Sequence, residues 1–271
     1  MNMENREKPI GIFDSGLGGL TSVKAVSEAL PNEDIVYFGD TARVPYGDRS
    51  KETIIEYVKD DIEFLLSHDV KAIVIACNTA DSMARLEMES IFRIPIVGVV
   101  GPAAKKAALA TENGRIGVIG TNATVRSDAY RKVINEYNPS ASVFAVACPL
   151  LVPLVEEGRI SLDDRVTRRV LREYLLPLAE KRIDTLVLGC THYPLLSPII
   201  AEILPGVMLV DSGEAAVASL QRKLNESKLS APSDKKGKIK YFVSDNAESF
   251  ARHGGIFMGH EINGKVTEVS I

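Results

Sequence analysis

Tryptophan is absent from the 271 residues, cysteine occurs only three times, and neither sign of charge dominates, the formal net charge being −4. The missing tryptophan excludes nothing about function. The cysteines, Cys77, Cys148 and Cys190, are odd in number and widely spaced, so they do not form a disulfide framework. Free thiols are expected, in structural, metal-binding or catalytic roles. No basic run exceeds two residues, Lys235-Lys236 being one example. With so mild a net charge, no nucleic-acid or membrane partner is indicated. No apolar run approaches the length of a membrane span. The first residues, MNMENREKP, are polar and hold no apolar stretch of signal-peptide length. A cytoplasmic protein is expected, long enough for two modest α/β domains or one large one.

Against that background one stretch stands out. Residues 71–80 read KAIVIACNTA, a run of β-formers ending at Cys77, Asn78 and Thr79. Residues 184–193 repeat the pattern as DTLVLGCTHY, ending at Cys190, Thr191 and His192. A single cysteine at a strand end usually packs as a small buried residue. Two in matching contexts form a constellation, because a fold of two similar halves can turn them toward each other.

The rest of the chain fits such halves. Short apolar runs at residues 9–13, 34–38, 71–76, 96–99, 115–119, 142–146, 184–188, 208–210 and 239–243 read as strands. Helical patterns alternate with them, including residues 20–29, 54–67, 80–92, 125–136 and 162–181. A last short strand is expected near Val269, and residues 229–238 are the clearest loop. Such alternation predicts parallel sheets covered by helices on both sides. The order also repeats: Ile10–Phe13 matches Ile116–Ile119, Ser15 aligns with Thr121, Asp40 with Cys148, and Cys77 with Cys190. The expected fold is therefore α/β with two pseudo-symmetric domains, each a mainly parallel sheet flanked by helices, and an active site in the cleft between them. Residues 1–99 and 210–271 form the first, discontinuous lobe and residues 100–209 the second.

Ligands bind beyond the carboxyl ends of parallel strands, and the polar clusters lie at those ends: Asp14-Ser15, Asp40-Thr41, Cys77-Asn78-Thr79, Thr121-Asn122 and Cys190-Thr191-His192. Helix N-termini after Asn78-Thr79 and after Thr191 suit a carboxylate. Paired thiols suit inversion at a weak carbon acid, which needs a base on one face and an acid on the other. A thiol titrates near pH 8.5 and shifts readily, so one can be thiolate while its twin keeps a proton. Asp14 stands at the end of the strand expected beside Cys77, His192 lies close to Cys190, and Glu156 sits in the matching loop of the second half. Each can hold or shuttle a proton.

Plainer readings apply elsewhere. Cys148, among apolar neighbours before Pro149, reads as packing, and Asp14 taken alone reads as a helix cap. His68, His253 and His260 read as surface or loop residues. No metal is expected: Cys190 and His192 are close, but no second pair stands at ligand spacing. The glycines of Asp14–Gly19 lack the third glycine of a dinucleotide loop, where Thr21 stands, and the GK[ST] of a P-loop. They read as close backbone packing.

Four motifs together carry a resemblance over essentially the whole chain: Gly11–Gly19 (GIFDSGLGG), Val44–Gly47 (VPYG), Ala76–Ala80 (ACNTA) and Leu188–Pro194 (LGCTHYP). On these the chain resembles the glutamate racemases of the aspartate/glutamate racemase superfamily. The resemblance implies a cofactor-independent enzyme that interconverts L- and D-glutamate and feeds D-glutamate to peptidoglycan synthesis. It implies Cys77 as the base toward D-glutamate and Cys190 toward L-glutamate. It also implies substrate contacts from Asp14, Ser15, Tyr46, Gly47, Asn78, Thr79, Thr191 and His192, and a homodimeric assembly. Thr121, aligned with Ser15 at the matching strand end of the second half, is expected beside them. Rival readings are an aspartate racemase or related cysteine-dependent isomerase, a two-lobed ligand-binding protein, and a thiol hydrolase. The last leaves the second, matched cysteine unexplained.

Overall fold

A computed structural model describes residues 4–233, 235–262 and 264–271. The first three residues of the polar N-terminal stretch, and Asp234 of the expected loop, lie outside them. Ten strands form two sheets among the described residues. They are β1 (Ile10–Asp14), β2 (Ile35–Gly39), β3 (Ala72–Ile75), β4 (Ile96–Gly98), β5 (Arg115–Gly120), β6 (Ser142–Ala147), β7 (Thr185–Gly189), β8 (Met208–Asp211), β9 (Ile239–Val243) and β10 (Val266–Glu268).

The first sheet has the order β10-β9-β2-β1-β3-β4 and the second β6-β5-β7-β8. All paired strands are parallel. The order β6-β5-β7-β8 is the order β2-β1-β3-β4 with each strand replaced by the one four places on, so β3 and β7, which lead to Cys77 and Cys190, are equivalent. β9 and β10 are additions to the first sheet alone. Central strands β1, β2, β3 and β7 are buried at every residue, the outcome expected where helices cover both faces of a parallel sheet.

The helices follow their capping and apolar spacing. Ser50 caps the helix Lys51–Ser67 by accepting from the Thr53 amide at 3.2 Å. That helix buries Ile54, Val58, Ile62 and Leu65 along one stripe. Asp61 falls on the same stripe and is fully buried. The helix expected over residues 125–136 is instead two, Asn122–Ser127 and Ala129–Tyr137. Asp128 breaks them in a left-handed conformation at φ 56°, a region that aspartate tolerates better than most residues. Nor does an α-helix follow Thr191 directly. A 3₁₀ turn, Tyr193–Leu196, comes first, and the α-helix runs Ser197–Ile203, with prolines at the head of both. Among the described residues no helix is long and apolar enough to cross a membrane.

The chain crosses from the first sheet to the second between β4 and β5, and this crossing is pinned by Asp81. Its carboxylate accepts from the Val100 amide at 2.6 Å and pairs with Arg85 Nε at 2.9 Å. Gly98 makes room for it, since a Cβ there would stand 1.9 Å from Asp81 Oδ1. Burial pushes the Asp81 carboxyl from an ordinary 3.8 up to about 6, against the pull of Arg85 and the Val100 amide. A group whose folded pKa is raised contributes stability that is complete below its unfolded pKa and lost as pH rises through the folded one. From pH about 4 to about 6 Asp81 therefore removes up to about 3 kcal/mol. Asp81→Asn is expected to abolish that part of the pH dependence, read by urea unfolding of both proteins across the range. Parallel curves would contradict it.

Candidate active site

The carboxyl ends of the two sheets meet at a cleft of about 420 Å³. Cys77 reaches it at the end of β3, immediately before the helix Asn78–Ile91. Cys190 reaches it at the end of β7. Ser15, Tyr46, Gly47, Asn78, Thr79, Thr121, Glu156, Thr191 and His192 line the same cleft. Every site residue expected from the sequence is thus gathered there except Asp14, which lies behind the lining. A wider cavity of about 850 Å³ lies among the helices Leu20–Ala29, Ser212–Glu226 and Ala247–Met258, but no thiol or histidine lines it.

Each thiol has its own polar partner. Cys77 Sγ lies 3.7 Å from Ser15 Oγ, and Cys190 Sγ lies 3.8 Å from His192 Nδ1. Burial, reinforced by the neighbouring Asp14 carboxyl, pushes the Cys77 thiol up to about 12, despite the Ala80 amide and Ser15. Cys77 therefore rests as a thiol at neutral pH. His192 presents the opposite case. Burial works against its charge, but the Cys190 contact and Glu156 outweigh it and raise its pKa to about 10. Its Nε2 meets Glu156 Oε1 at 2.9 Å. Glu156 is the last residue of the short helix Leu151–Glu156 rather than part of a loop, and its side chain is 43% exposed. Cys190, His192 and Glu156 thus form a polar chain from the cleft to solvent, an arrangement that suits passage of a proton.

Asp14 is wholly buried. Its Oδ2 accepts from the Gly16 amide at 3.0 Å, and its Oδ1 accepts from Thr191 Oγ1 at 3.4 Å. Burial raises its pKa, opposed first by His192. The Gly19 amide, at the head of the helix Leu20–Ala29, also favours its charged form, so Asp14 ties the turn after β1 and the start of that helix to the turn after β7. The glycines beside it serve the same approach. A Cβ on Gly18 would stand 2.2 Å from Thr191 Oγ1 and 2.5 Å from His192 Nδ1, and one on Gly19 would stand 2.3 Å from Asp14 Cβ. Close packing is their role.

Other groups could not be read from strand ends. Thr124 completes a hydroxyl trio, 3.2 Å from Thr79 Oγ1 and 3.0 Å from Thr121 Oγ1, while Thr79 and Thr121 stand 2.8 Å apart. Its spacing from Thr121, one helical turn, was the available signal. Asn78 is anchored by Ser212 Oγ at 3.0 Å and by the Tyr130 hydroxyl. Cys148 is buried outside the cleft lining, and burial pushes its thiol up. His68 lies in the turn that closes the helix Lys51–Ser67, its ring packed on Phe64 and Phe242, while His253 lies within a helix rather than a loop. Among the described residues no cluster of three or more His, Cys, Asp or Glu side chains is arranged to hold a metal ion.

Two cysteines on equivalent strands of two halves, sharing one small cleft with several polar side chains at its wall, suit proton transfer at a small molecule held between them. The sequence from residue 21 to residue 220 matches the Asp/Glu/Hydantoin racemase family. The chain belongs to that family. A glutamate racemase from Geobacter metallireducens is 48% identical over 265 residues, covering 97% of each chain. A glutamate racemase isoform from Bacillus anthracis shares the fold with a TM-score of 0.93 at 36% identity, over 98% of both chains. A glutamate racemase from Francisella tularensis, in complex with D-glutamate, gives a TM-score of 0.89 at 39% identity, again over 98% of both.

The Glu156 carboxylate is one of the groups that keeps His192 charged. Glu156→Gln is expected to bring the His192 pKa down from about 10 toward its ordinary 6.5. Ring-carbon chemical shifts followed through a pH titration measure this, and an unchanged titration would remove Glu156 from the proton path.

Proposed function

We propose that the protein interconverts L- and D-glutamate by a two-thiol acid/base mechanism without a cofactor. The observation that carries the reading is the pairing of Cys77 and Cys190, from equivalent strands of the two sheets, in one cleft. A base on one face of the α-carbon removes the proton, and an acid on the other returns one with inverted configuration. Cys77, kept protonated by burial, is the acid when L-glutamate reacts, and Cys190 is the base. For D-glutamate the roles reverse. His192 and Glu156 exchange the proton of Cys190 with solvent, and Asp14 holds Thr191 and His192 in place. Ser15, Asn78, Thr79, Thr121, Thr191 and the Tyr46–Gly47 turn supply donors for the two carboxylates.

The D-glutamate bound by the Francisella tularensis relative supports this choice of substrate. In the same reading, residues 1–99 and 210–271 move as one lobe and residues 100–209 as the other. The product supplies peptidoglycan synthesis in the cytoplasm, and the working form is a homodimer.

Turnover in heavy water tests the chemistry. Deuterium is expected at the α-carbon of the inverted enantiomer, with L-glutamate turned over in preference to L-aspartate. Cys77→Ala and Cys190→Ala are each expected to lower racemisation by about a thousandfold or more, the scale of a lost acid or base, with circular dichroism unchanged. Full activity in either variant would reject the mechanism, and preference for aspartate would reject the substrate.

A further inference from the structure

Beneath the Tyr46–Gly47 turn lies a group of side chains that the reaction itself does not use. Asp40 and Asp61 are fully buried, and Tyr46 is 1% exposed. Arg43 bridges three carboxylates: Nε to Asp40 Oδ2 at 2.6 Å, Nη1 to Asp60 Oδ2 at 2.7 Å, and Nη2 to Asp61 Oδ1 at 2.8 Å. The Tyr46 hydroxyl stands 2.5 Å from Asp40 Oδ2 and 3.0 Å from Asp61 Oδ2.

Counting hydrogens decides what this cluster is. A phenol has one proton and can donate it once. Two carboxylate oxygens are within its reach, so one of the contacts needs a proton of its own. Both oxygens of Asp40 are already supplied, Oδ2 by Arg43 and Oδ1 by Ser244 Oγ at 2.9 Å. Asp61 Oδ1 is supplied by Arg43, while Asp61 Oδ2 faces only the phenol. That oxygen is where a proton fits. Charge agrees, since one guanidinium faces two buried carboxyl groups, and two like charges so close do not both ionise readily.

We propose that Asp61 is a neutral carboxylic acid that donates to Tyr46, which in turn donates to Asp40, and that this chain positions the Tyr46–Gly47 turn against the substrate. The role of the turn rests on the racemase reading; the shared proton does not. The turn is held closely, because a Cβ on Gly47 would stand 3.0 Å from Thr121 Cβ. Burial first, and then Asp40, raises the Asp61 pKa well above the carboxylate range, while Arg43 and Tyr46 oppose this. The charged and titratable groups around it are Tyr37 from β2, Asp40 just after β2, Arg43 and Tyr46 from the turn, and Asp60 from its own helix. Asp61 and Arg43 are positioning residues acting through Tyr46.

Two variants and one spectrum test the proposal on the full chain. Asp61→Asn keeps both contacts, its amide N–H donating to Tyr46 and its carbonyl accepting from Arg43. Its KM for glutamate is expected to stay within about twofold of the parent, while Asp61→Leu raises KM about tenfold or more and changes kcat less. Where alkali ionises Asp61, the parent KM rises and the Asp61→Asn KM does not. Infrared difference spectra of the parent against Asp61→Asn, without substrate, are expected to show a protonated-carboxyl C=O band at neutral pH that shifts in heavy water. Absence of that band, or a KM in Asp61→Asn raised as far as in Asp61→Leu, would overturn the proposal. If the parent turned over neither enantiomer, the racemase reading would fall, and the infrared band would still decide the proton.

Discussion

Polar groups buried at the ends of strands must be hydrogen-bonded, and in this molecule many of their partners sit on the opposite sheet's turns. Asp14 at the end of β1 accepts from Thr191 after β7, and Thr21 Oγ1 donates to the Thr191 carbonyl at 3.1 Å. Thr79 after β3 meets Thr121 after β5, and Asn78 meets Tyr130. Apolar burial supplies most of the cohesion but is non-directional. Directional contacts such as these register one sheet edge against the other, and so determine where the two cysteines stand.

The scaffold is symmetric, but the environments of its two thiols are not. Cys77 has a buried carboxyl nearby and a serine hydroxyl in contact, and it keeps its proton. Cys190 has a histidine held charged by an acid that reaches solvent. The repeated strand order places the sulfurs on equivalent strands, and the departures from the repeat give them different surroundings. β9 and β10 make a similar point at the level of the fold, for they broaden one sheet and have no counterpart in the other.

Most of the sheet architecture was legible in the sequence because parallel strands covered on both faces are nearly continuous apolar runs, and because the polar residue ending each run marks the functional edge. The repeated Cys-Asn-Thr and Cys-Thr-His endings pointed to the two strand ends that meet at the cleft. What escaped was local. The break at Asp128 depends on one residue adopting a left-handed conformation, and the 3₁₀ turn at Tyr193 interrupts a helix that apolar spacing alone would start earlier. Thr124 and Tyr130 belong to helices, where strand-end reasoning does not look. Asp61 left a trace that could have been followed: an acid on an apolar stripe, seven residues after Ile54 and four before Leu65. A carboxyl at such a position needs a buried partner, and the partner was the Arg43–Tyr46 turn.

Asn78 has one further implication. Its Oδ1 accepts from Tyr130 and its Nδ2 donates to Ser212, yet a carboxamide has two lone pairs and two hydrogens. One of each is left over at the wall of the cleft. A visiting molecule can use this spare valence without evicting either neighbour, so gripping the guest and clasping the halves are additive rather than rival demands.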